Sequence, residues 1–199
     1  MKTYKLVILI LLSITLIRCS NESGTFKDSR DGQSYKWVKI GNQIWMAENL
    51  NYDSDNGSWV YDNNPLYAEI YGRLYNWETA CKVCPDGWHL PTDAEWTILT
   101  DYIGGEDVAG GKMKEKGTMY WNSPNTEADN SSGFTGLPGG GRGSNDGSFG
   151  SLGYDGYLWS TTEYGESHAW LRSLYYGKAD VFAEYGDKTF GYSVRCLKD

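Results

Sequence analysis

The stretch WETACKVCPDGWHLPTDAEW, Trp77–Trp96, decides the fold. Thr92 and Glu95 are spaced as an S/T-x-x-E capping box, in which side chain and backbone satisfy each other's orphan donors at a helix start. Pro91 precedes the cap, where a chain enters rather than continues a helix. Trp96, Leu99 and Ile103 then recur at helical spacing and Gly104-Gly105 stop the run, which predicts a helix over 92–103. A shorter helix signal opens at Trp77. Cys84 lies between the two helices, a natural anchor for a long-range disulfide.

Outward from this segment, Tyr35–Leu50 reads as a β-hairpin. Tyr35, Trp37 and Val38 lead in, Gly41-Asn42 turn, and Ile44, Trp45 and Met46 return. Asn51–Pro65 reads as a polar loop carrying Trp59 and Tyr61, and Tyr67–Asn76 as the lead into the first helix. From Gly104 to Gly156 the residues Gly, Asn, Asp and Ser dominate without periodicity, and Trp121, Phe134 and Phe149 are isolated anchors. So long an irregular stretch in a compact domain is often functional. The chain returns to strands at Leu158–Thr162, Ala169–Tyr175, Ala179–Tyr185 and Tyr192–Leu197. No internal repeat or second domain is visible.

The N-terminus reads as an address rather than as structure. Lys2 and Lys5 precede the apolar run Leu6–Ile17, 12 residues long and interrupted only by Ser13 and Thr15. That is short for a bilayer span of about 20 residues and right for a signal peptide. Leu16-Ile17-Arg18-Cys19 resembles a bacterial lipobox, with Arg18 where a small residue is usual. Residues 1–18 are thus expected to be a lipoprotein signal peptide, Cys19 the lipidated residue, and 19–27 a tether. A plain secretory signal cleaved nearby is the alternative.

Six motifs in order, GNQIWMAENLNYD (41–53), YGRLYNWETA (71–80), the 77–96 segment, GFTGLPGGGR (133–142), GYLWSTTE (156–163) and GYSVRCLKD (191–199), resemble the Fibrobacter succinogenes major paralogous domain family over roughly 28–199. Trp77, Ala80 and Cys84 with a last Cys at Cys196 are similar to the C-type lectin pattern. HLPTDAEW is similar to a run in formylglycine-generating proteins of the same fold. The resemblance implies one α+β domain at 28–199 with a C-type lectin-like fold. Two short helices would pack on antiparallel β-sheet beside a long Gly/Asn/Asp-rich loop region. It also implies a Cys84–Cys196 disulfide, closing a loop of about a hundred residues and contributing on the order of 4 kcal/mol in the chain-entropy model. Cys81 is then left over, three residues from Cys84, as a free thiol or a competitor for Cys196. A redox or metal CxxC is the other reading, but no second CxxC or nearby His completes a zinc set.

Composition narrows the partners. The net charge of −8 becomes −11 once the three basic residues of 1–18, Lys2, Lys5 and Arg18, are removed. Phosphates need Lys/Arg neutralisation, so nucleic acid and bare anionic membrane are poor partners; the membrane is met through the lipid anchor only. Neutral glycans, cationic partners or calcium suit the charge.

No G-x-S-x-G, H-E-x-x-H, Walker lysine loop or EF-hand is present. Gly139–Gly143 lacks the ending of a phosphate loop and reads as a tight turn. His89 reads as a hydrogen-bonded core residue and His168 as exposed. The cysteine pair of formylglycine-generating proteins is not matched, since Cys196 has a structural assignment. Calcium needs six to eight oxygens, and Asn122, Asn125, Glu127, Asp129, Asn130, Asn145 and Asp146 offer them. The metal candidates are Asn122, Asp129, Asn130 and Asp146. The sugar-binding triplets of C-type lectins are absent, and turn building is the competing reading of these residues. Aromatics are the other signal, with 9 Trp, 16 Tyr and 5 Phe. Trp59, Tyr61, Trp121, Tyr154 and Tyr157, with Arg142 in the motif-bearing loop, are the ligand candidates. The expectation is an exported, non-catalytic binding or adhesion module at the outer membrane or cell surface. It would have no cofactor beyond a candidate calcium, and a polysaccharide or envelope protein as partner. The alternatives are a structural envelope protein without a glycan ligand and an enzyme related to formylglycine-generating proteins.

Overall fold

The computed structural model describes residues 21–144 and 146–199. The expected signal peptide and the lipidation at Cys19 lie outside the described residues, as does Asn145. Along the described chain run β1 (Ser23–Lys27), β2 (Ser34–Ile40), β3 (Gln43–Met46), β4 (Ser58–Trp59), α1 (Pro65–Tyr71), β5 (Leu74–Tyr75), α2 (Trp77–Ala80), β6 (Trp88–His89), α3 (Asp93–Tyr102) and α4 (Glu106–Met113). Then follow β7 (Gly141–Arg142), β8 (Phe149–Gly150), β9 (Asp155–Glu163), β10 (His168–Tyr175), β11 (Val181–Asp187), β12 (Tyr192–Ser193) and β13 (Leu197–Lys198). The class is α+β. One sheet has the order β1-β2-β3-β13-β6, a second β11-β10-β9-β12-β5-β4, and β7–β8 form a separate ribbon. The ladders are antiparallel except for β12 on β9. Among the described residues no helix is long and apolar enough to cross a membrane.

The predicted hairpin is β2–β3, turning at Gly41, whose φ of +61° is the left-handed conformation that glycine adopts without cost. Its return strand is apolar without alternation because both faces of that sheet are covered. Trp45 packs with Trp96, Phe134 and Leu197 in one core, whereas Met46 packs with Leu50, Val194 and Cys196 in another. Successive strand residues point to opposite faces, so one strand feeds two cores. The helix predicted at 92–103 is α3. Thr92 Oγ1 accepts from Glu95 N at 3.2 Å and Glu95 Oε2 accepts from Thr92 N at 2.8 Å, completing the capping box. Trp96 and Leu99 are buried, and Trp96 lies 4.6 Å from Trp45.

The disulfide that the resemblance implied, Cys84–Cys196, is formed, with its Cα atoms 5.9 Å apart. Cys81 remains a free, half-buried thiol beside Thr161 Oγ1; burial pushes its pKa up. The strand expected over Tyr192–Leu197 is two strands in two sheets. β12 joins the second sheet, β13 the first, and Val194-Arg195-Cys196 cross between them. Met46 N donates to Cys196 O and Leu50 N to Val194 O along the crossing. Arg195 is fully buried there. Its guanidinium donates to Asn49 Oδ1 at 2.6 Å, to Met46 O at 3.1 Å, and to the carbonyls of Phe134 and Thr135. Burial pulls its pKa down to about 9, still far enough above neutrality to keep it cationic.

Two further expectations change. Helices number four among the described residues, not two. α1 starts where a polar loop was expected to end. Asn64 caps it by accepting from Leu66 N, and Pro65 supplies its first position. α4 lies inside the stretch that had no periodicity. Its sequence EDVAGGKM hides it because Gly110 and Gly111 weaken helix propensity. The glycines serve packing instead. A Cβ at Gly110 would meet Asp180 O at 2.1 Å and one at Gly111 would meet Glu127 O at 2.6 Å. Just after α4, the buried Lys114 ammonium donates to the carbonyls of Thr126 (3.0 Å), Tyr175 (3.0 Å) and Lys178 (2.6 Å). A built-in cation thus ties the glycine-rich region to the β10–β11 hairpin.

His89 is partly exposed rather than a core residue. Its Nδ1 lies 2.6 Å from Asp199 Oδ1 and its Nε2 3.1 Å from Glu95 Oε1, joining the C-terminus to the α3 cap.

Replacing Arg195 with Met leaves at least three buried acceptors without a donor. The expected loss is on the order of 4 kcal/mol, measured as a shift of the urea midpoint at unchanged slope.

Burial alone would lower the pKa of His89, but the hydrogen bonds to Asp199 and Glu95 outweigh it and the net shift is upward. The imidazolium therefore stabilises the fold fully below the unfolded pKa of about 6.5 and loses that contribution as pH rises through the folded value. The melting temperature should fall as the pH is raised above about 6.5, and His89→Gln should flatten that slope.

Candidate functional site

The second sheet sets out one row of side chains on a common face. Ser173 pairs with Tyr157 on β9 and with Phe182 on β11, and Leu171 pairs with Trp159 and Glu184. The period of two therefore puts Tyr157, Trp159, Leu171, Ser173, Tyr175 and Glu184 on that face. Trp159 and Leu171 are buried at its inner end. Gly186 sits there because a Cβ would meet the Tyr192 ring at 2.9 Å and Leu171 at 3.0 Å. Toward the outer end Tyr157, Tyr175 and Glu184 open into a cleft of about 420 Å³.

The β7–β8 ribbon forms the opposite wall and brings Arg142 and Phe149. Arg142 is anchored through its backbone, exchanging hydrogen bonds with Gly191 at 2.9 and 2.8 Å. Its guanidinium lies over Trp59, 4.2 Å from the ring centroid, and 6.0 Å from that of Phe149. The ribbon tip folds back on it. A Cβ on Gly147 (φ +68°) would meet Arg142 Nη2 at 2.5 Å, so an added methyl would push the guanidinium aside. Tyr192 and Phe190 complete the walls, with Tyr157 and Tyr192 centroids 4.9 Å apart.

The polar groups are held in fixed states. Glu184 Oε2 accepts from Ser173 Oγ at 2.6 Å and from the Tyr175 hydroxyl at 2.8 Å. The Tyr157 hydroxyl donates to Asp155 Oδ2 at 3.0 Å. Burial, and then the neighbouring carboxylate, pushes the pKa of Tyr157 and of Tyr175 far above the usual phenol value. Burial pushes Tyr192 up to about 12. These phenols therefore stay protonated. The cleft offers aromatic faces, one guanidinium, and a carboxylate whose two hydroxyl donors both sit on one oxygen, Oε2.

Of the ligand candidates read from the sequence, Arg142 and Tyr157 line this cleft and Trp59 supports Arg142 from beneath. Tyr61 is 8% exposed and packs against Phe149, behind the ribbon. Trp121 is not at the surface as expected: it is 1% exposed and its indole N–H donates to Gly136 O at 2.9 Å. It lies in the core because the glycine-rich stretch folds inward around it. Tyr154 is exposed but stands outside the cleft, edge-on to Tyr176. Glu184, Tyr175, Phe190 and Tyr192 were not singled out. They meet only through the β10–β11 register and the placement of β12, which strand alternation alone does not fix.

The metal candidates lie in three places. Asn122 sits beside Gly153, Asp129 and Asn130 beside α4, and Asp146 at the ribbon tip. Each has a turn or packing role: Asp129 accepts from Ser131 N, Asn130 donates to Glu115 and Thr135, and Asp146 accepts from Ser148 N. No group of three or more His, Cys, Asp or Glu that could hold a metal occurs among the described residues. A second cavity, of about 410 Å³, lies between the first sheet and α1. There Glu48 pairs with Lys36 and Glu115 accepts from Asn130.

The model of the Fibrobacter succinogenes major domain matches residues 38–198, and the chain belongs to that family. No curated protein and no solved structure matches it.

Glu184 links two hydroxyl donors across β10 and β11. Glu184→Ala should leave Ser173 and Tyr175 without their acceptor and cost about 1–3 kcal/mol, read as a lowered melting temperature. Tyr175 should then ionise at lower pH in a spectrophotometric titration, because a cause of its raised pKa is gone.

Proposed function

We propose that the protein is exported and lipid-anchored at the cell envelope, and that it is a non-catalytic binding or adhesion module for a glycan. The aromatic cleft is its site. The observation that carries this reading is the meeting of Tyr157, Tyr192, Phe149 and Phe190 with Arg142 and Glu184 in one open cleft of about 420 Å³. Aromatic faces suit the apolar face of a pyranose ring, and a few convergent polar groups fix its hydroxyls. Export is supported by the signal-like run at 6–17 and by the Cys84–Cys196 disulfide, since such bridges persist in oxidising compartments.

The fold proposed for this module is C-type lectin-like. Three features support it: a disulfide from the segment after α2 to the crossing between β12 and β13, terminal strands sharing one sheet, and a long glycine-rich region leading to the candidate site. A protein-interaction role in the envelope is favoured by a different feature. Exposed Tyr164 and Tyr185 stack at 4.0 Å on the second sheet, with Trp170 edge-on beside them.

The test is a panel of plant and bacterial polysaccharides, titrated calorimetrically in calcium and then in EDTA. Saturable binding that persists in EDTA is expected. Tyr157→Ala and Phe149→Ala should each weaken it at least tenfold, about 1.4 kcal/mol, while Tyr154→Ala, outside the cleft, leaves it unchanged. Absence of binding to every polymer would overturn the glycan reading.

A further inference from the structure

We infer that the cleft selects a polysaccharide of neutral sugars carrying isolated uronic acid residues, and that Arg142 is the residue that reads the carboxylate. The inference rests on the glycan reading above and names the ligand class for that site.

Arg142 is held in place before any ligand arrives. A free arginine loses considerable side-chain entropy when it is fixed on a ligand. This one is already fixed. Its backbone is paired with Gly191, its guanidinium lies 4.2 Å from the Trp59 ring centroid, and Gly147 packs against it. Ring and glycine together hold the guanidinium at the cleft wall. Within the ribbon it donates one long hydrogen bond, 3.4 Å from Nη1 to Gly143 O. Arg142 makes no salt bridge among the described residues, unlike Arg30 with Asp28, Arg73 with Asp53 and Arg172 with Asp93. Asp146 on the same ribbon feels the Arg142 charge, but its Oδ1 accepts from Ser148 N at 2.9 Å and it forms no salt bridge with Arg142. A planar, pre-positioned guanidinium beside aromatic walls matches a carboxylate bidentately.

The surrounding charge limits how many carboxylates the ligand can bring. Glu184 faces the same cleft, and Asp155 stands behind the Tyr157 hydroxyl. The whole chain carries −8. Solution ions screen that background beyond about 8 Å, so one carboxylate seated on Arg142 is governed by local contact. A second acidic sugar placed next to Glu184 meets a like charge. The cleft therefore fits a single acidic residue in a neutral chain and disfavours a dense polyuronate. Neutral hydroxyls of the adjoining sugars are left for Glu184, whose remaining oxygen accepts.

Calorimetry or affinity electrophoresis of the intact protein on a glucuronic-acid-branched xylan tests this. The comparators are the same polymer after chemical reduction of its carboxyl groups and an unbroken polygalacturonate. The readout is the ratio of affinities for native and reduced xylan. A ratio of at least ten is expected for the wild type, with weaker binding to polygalacturonate than to the branched xylan. Arg142→Gln should bring the ratio close to one, and Arg142→Lys should give an intermediate value because it keeps the charge but loses the fork. Gly147→Ala tests the positioning without removing the arginine. The added methyl must displace the guanidinium, and the ratio should fall there too, with circular dichroism verifying that all three variants are folded. Equal affinity of the wild type for native and reduced xylan would overturn the uronate assignment and leave the glycan reading standing. Tighter binding of polygalacturonate would overturn the single-carboxylate argument. No binding to any of the three, with none in the wider panel, would overturn both.

Discussion

The structure turns on one buried guanidinium. Arg195 lies where the chain steps from the second sheet to the first, between β12 and β13, and it is fully excluded from water. A strand that changes sheets gives up part of its ladder, so the exposed carbonyls of neighbouring segments need another donor. Arg195 supplies it. Its fork reaches Met46 at the end of the hairpin, Asn49 just beyond it, and Phe134 and Thr135 in the glycine-rich region. Two stretches far apart in sequence, 46–49 and 134–135, are fixed to one side chain. The charge is dispersed over acceptor dipoles and over the Phe134 ring, 4.5 Å away, rather than matched by a carboxylate.

Lys114 repeats the device on the other side of that region. Its ammonium holds three carbonyls from two loops. An irregular stretch has many main-chain groups and few ladder partners, and a buried cation with several donors orders it without regular secondary structure. Arg195 positions the start of the 133–142 motif whose far end carries Arg142, while Lys114 ties the stretch before it to the β10–β11 hairpin. The path from fold to site is therefore short: Arg195 fixes Phe134 and Thr135, the glycines at 139–141 lead past Ser193 and Tyr192, and β7 delivers Arg142 onto Trp59.

The glycines of that path are legible only in space. Gly140 has φ +63°, and a Cβ there would meet Gly150 O at 2.2 Å; Gly141 faces Tyr192 at 2.8 Å. In the sequence GGGR reads as a tight turn; in the structure Gly140 bridges to Gly156 and Gly141–Arg142 are β7, so the run enters the ribbon instead of turning. The small residues let the ribbon approach the sheet closely and leave the cleft between them.

Local signals carried the parts of the fold that depend on neighbours in sequence. The capping box at Thr92 and Glu95, the Gly41 turn, the helix stop at Gly104-Gly105 and the strands at 158–175 all rest on interactions within a few residues, so the chain states them directly. The Cys84–Cys196 link came from family resemblance, not from spacing. Tertiary structure alone decided the rest. It made a helix of EDVAGGKM because backbone packing against Asp180 and Glu127 required glycine. It split the last strand between two sheets and buried Trp121 where a surface residue was expected. It also brought Glu184, Tyr175 and Tyr192 to Arg142 and Tyr157. Those groups lie on separate strands, and only the pairing register, a long-range property of the sheet, places them on one face.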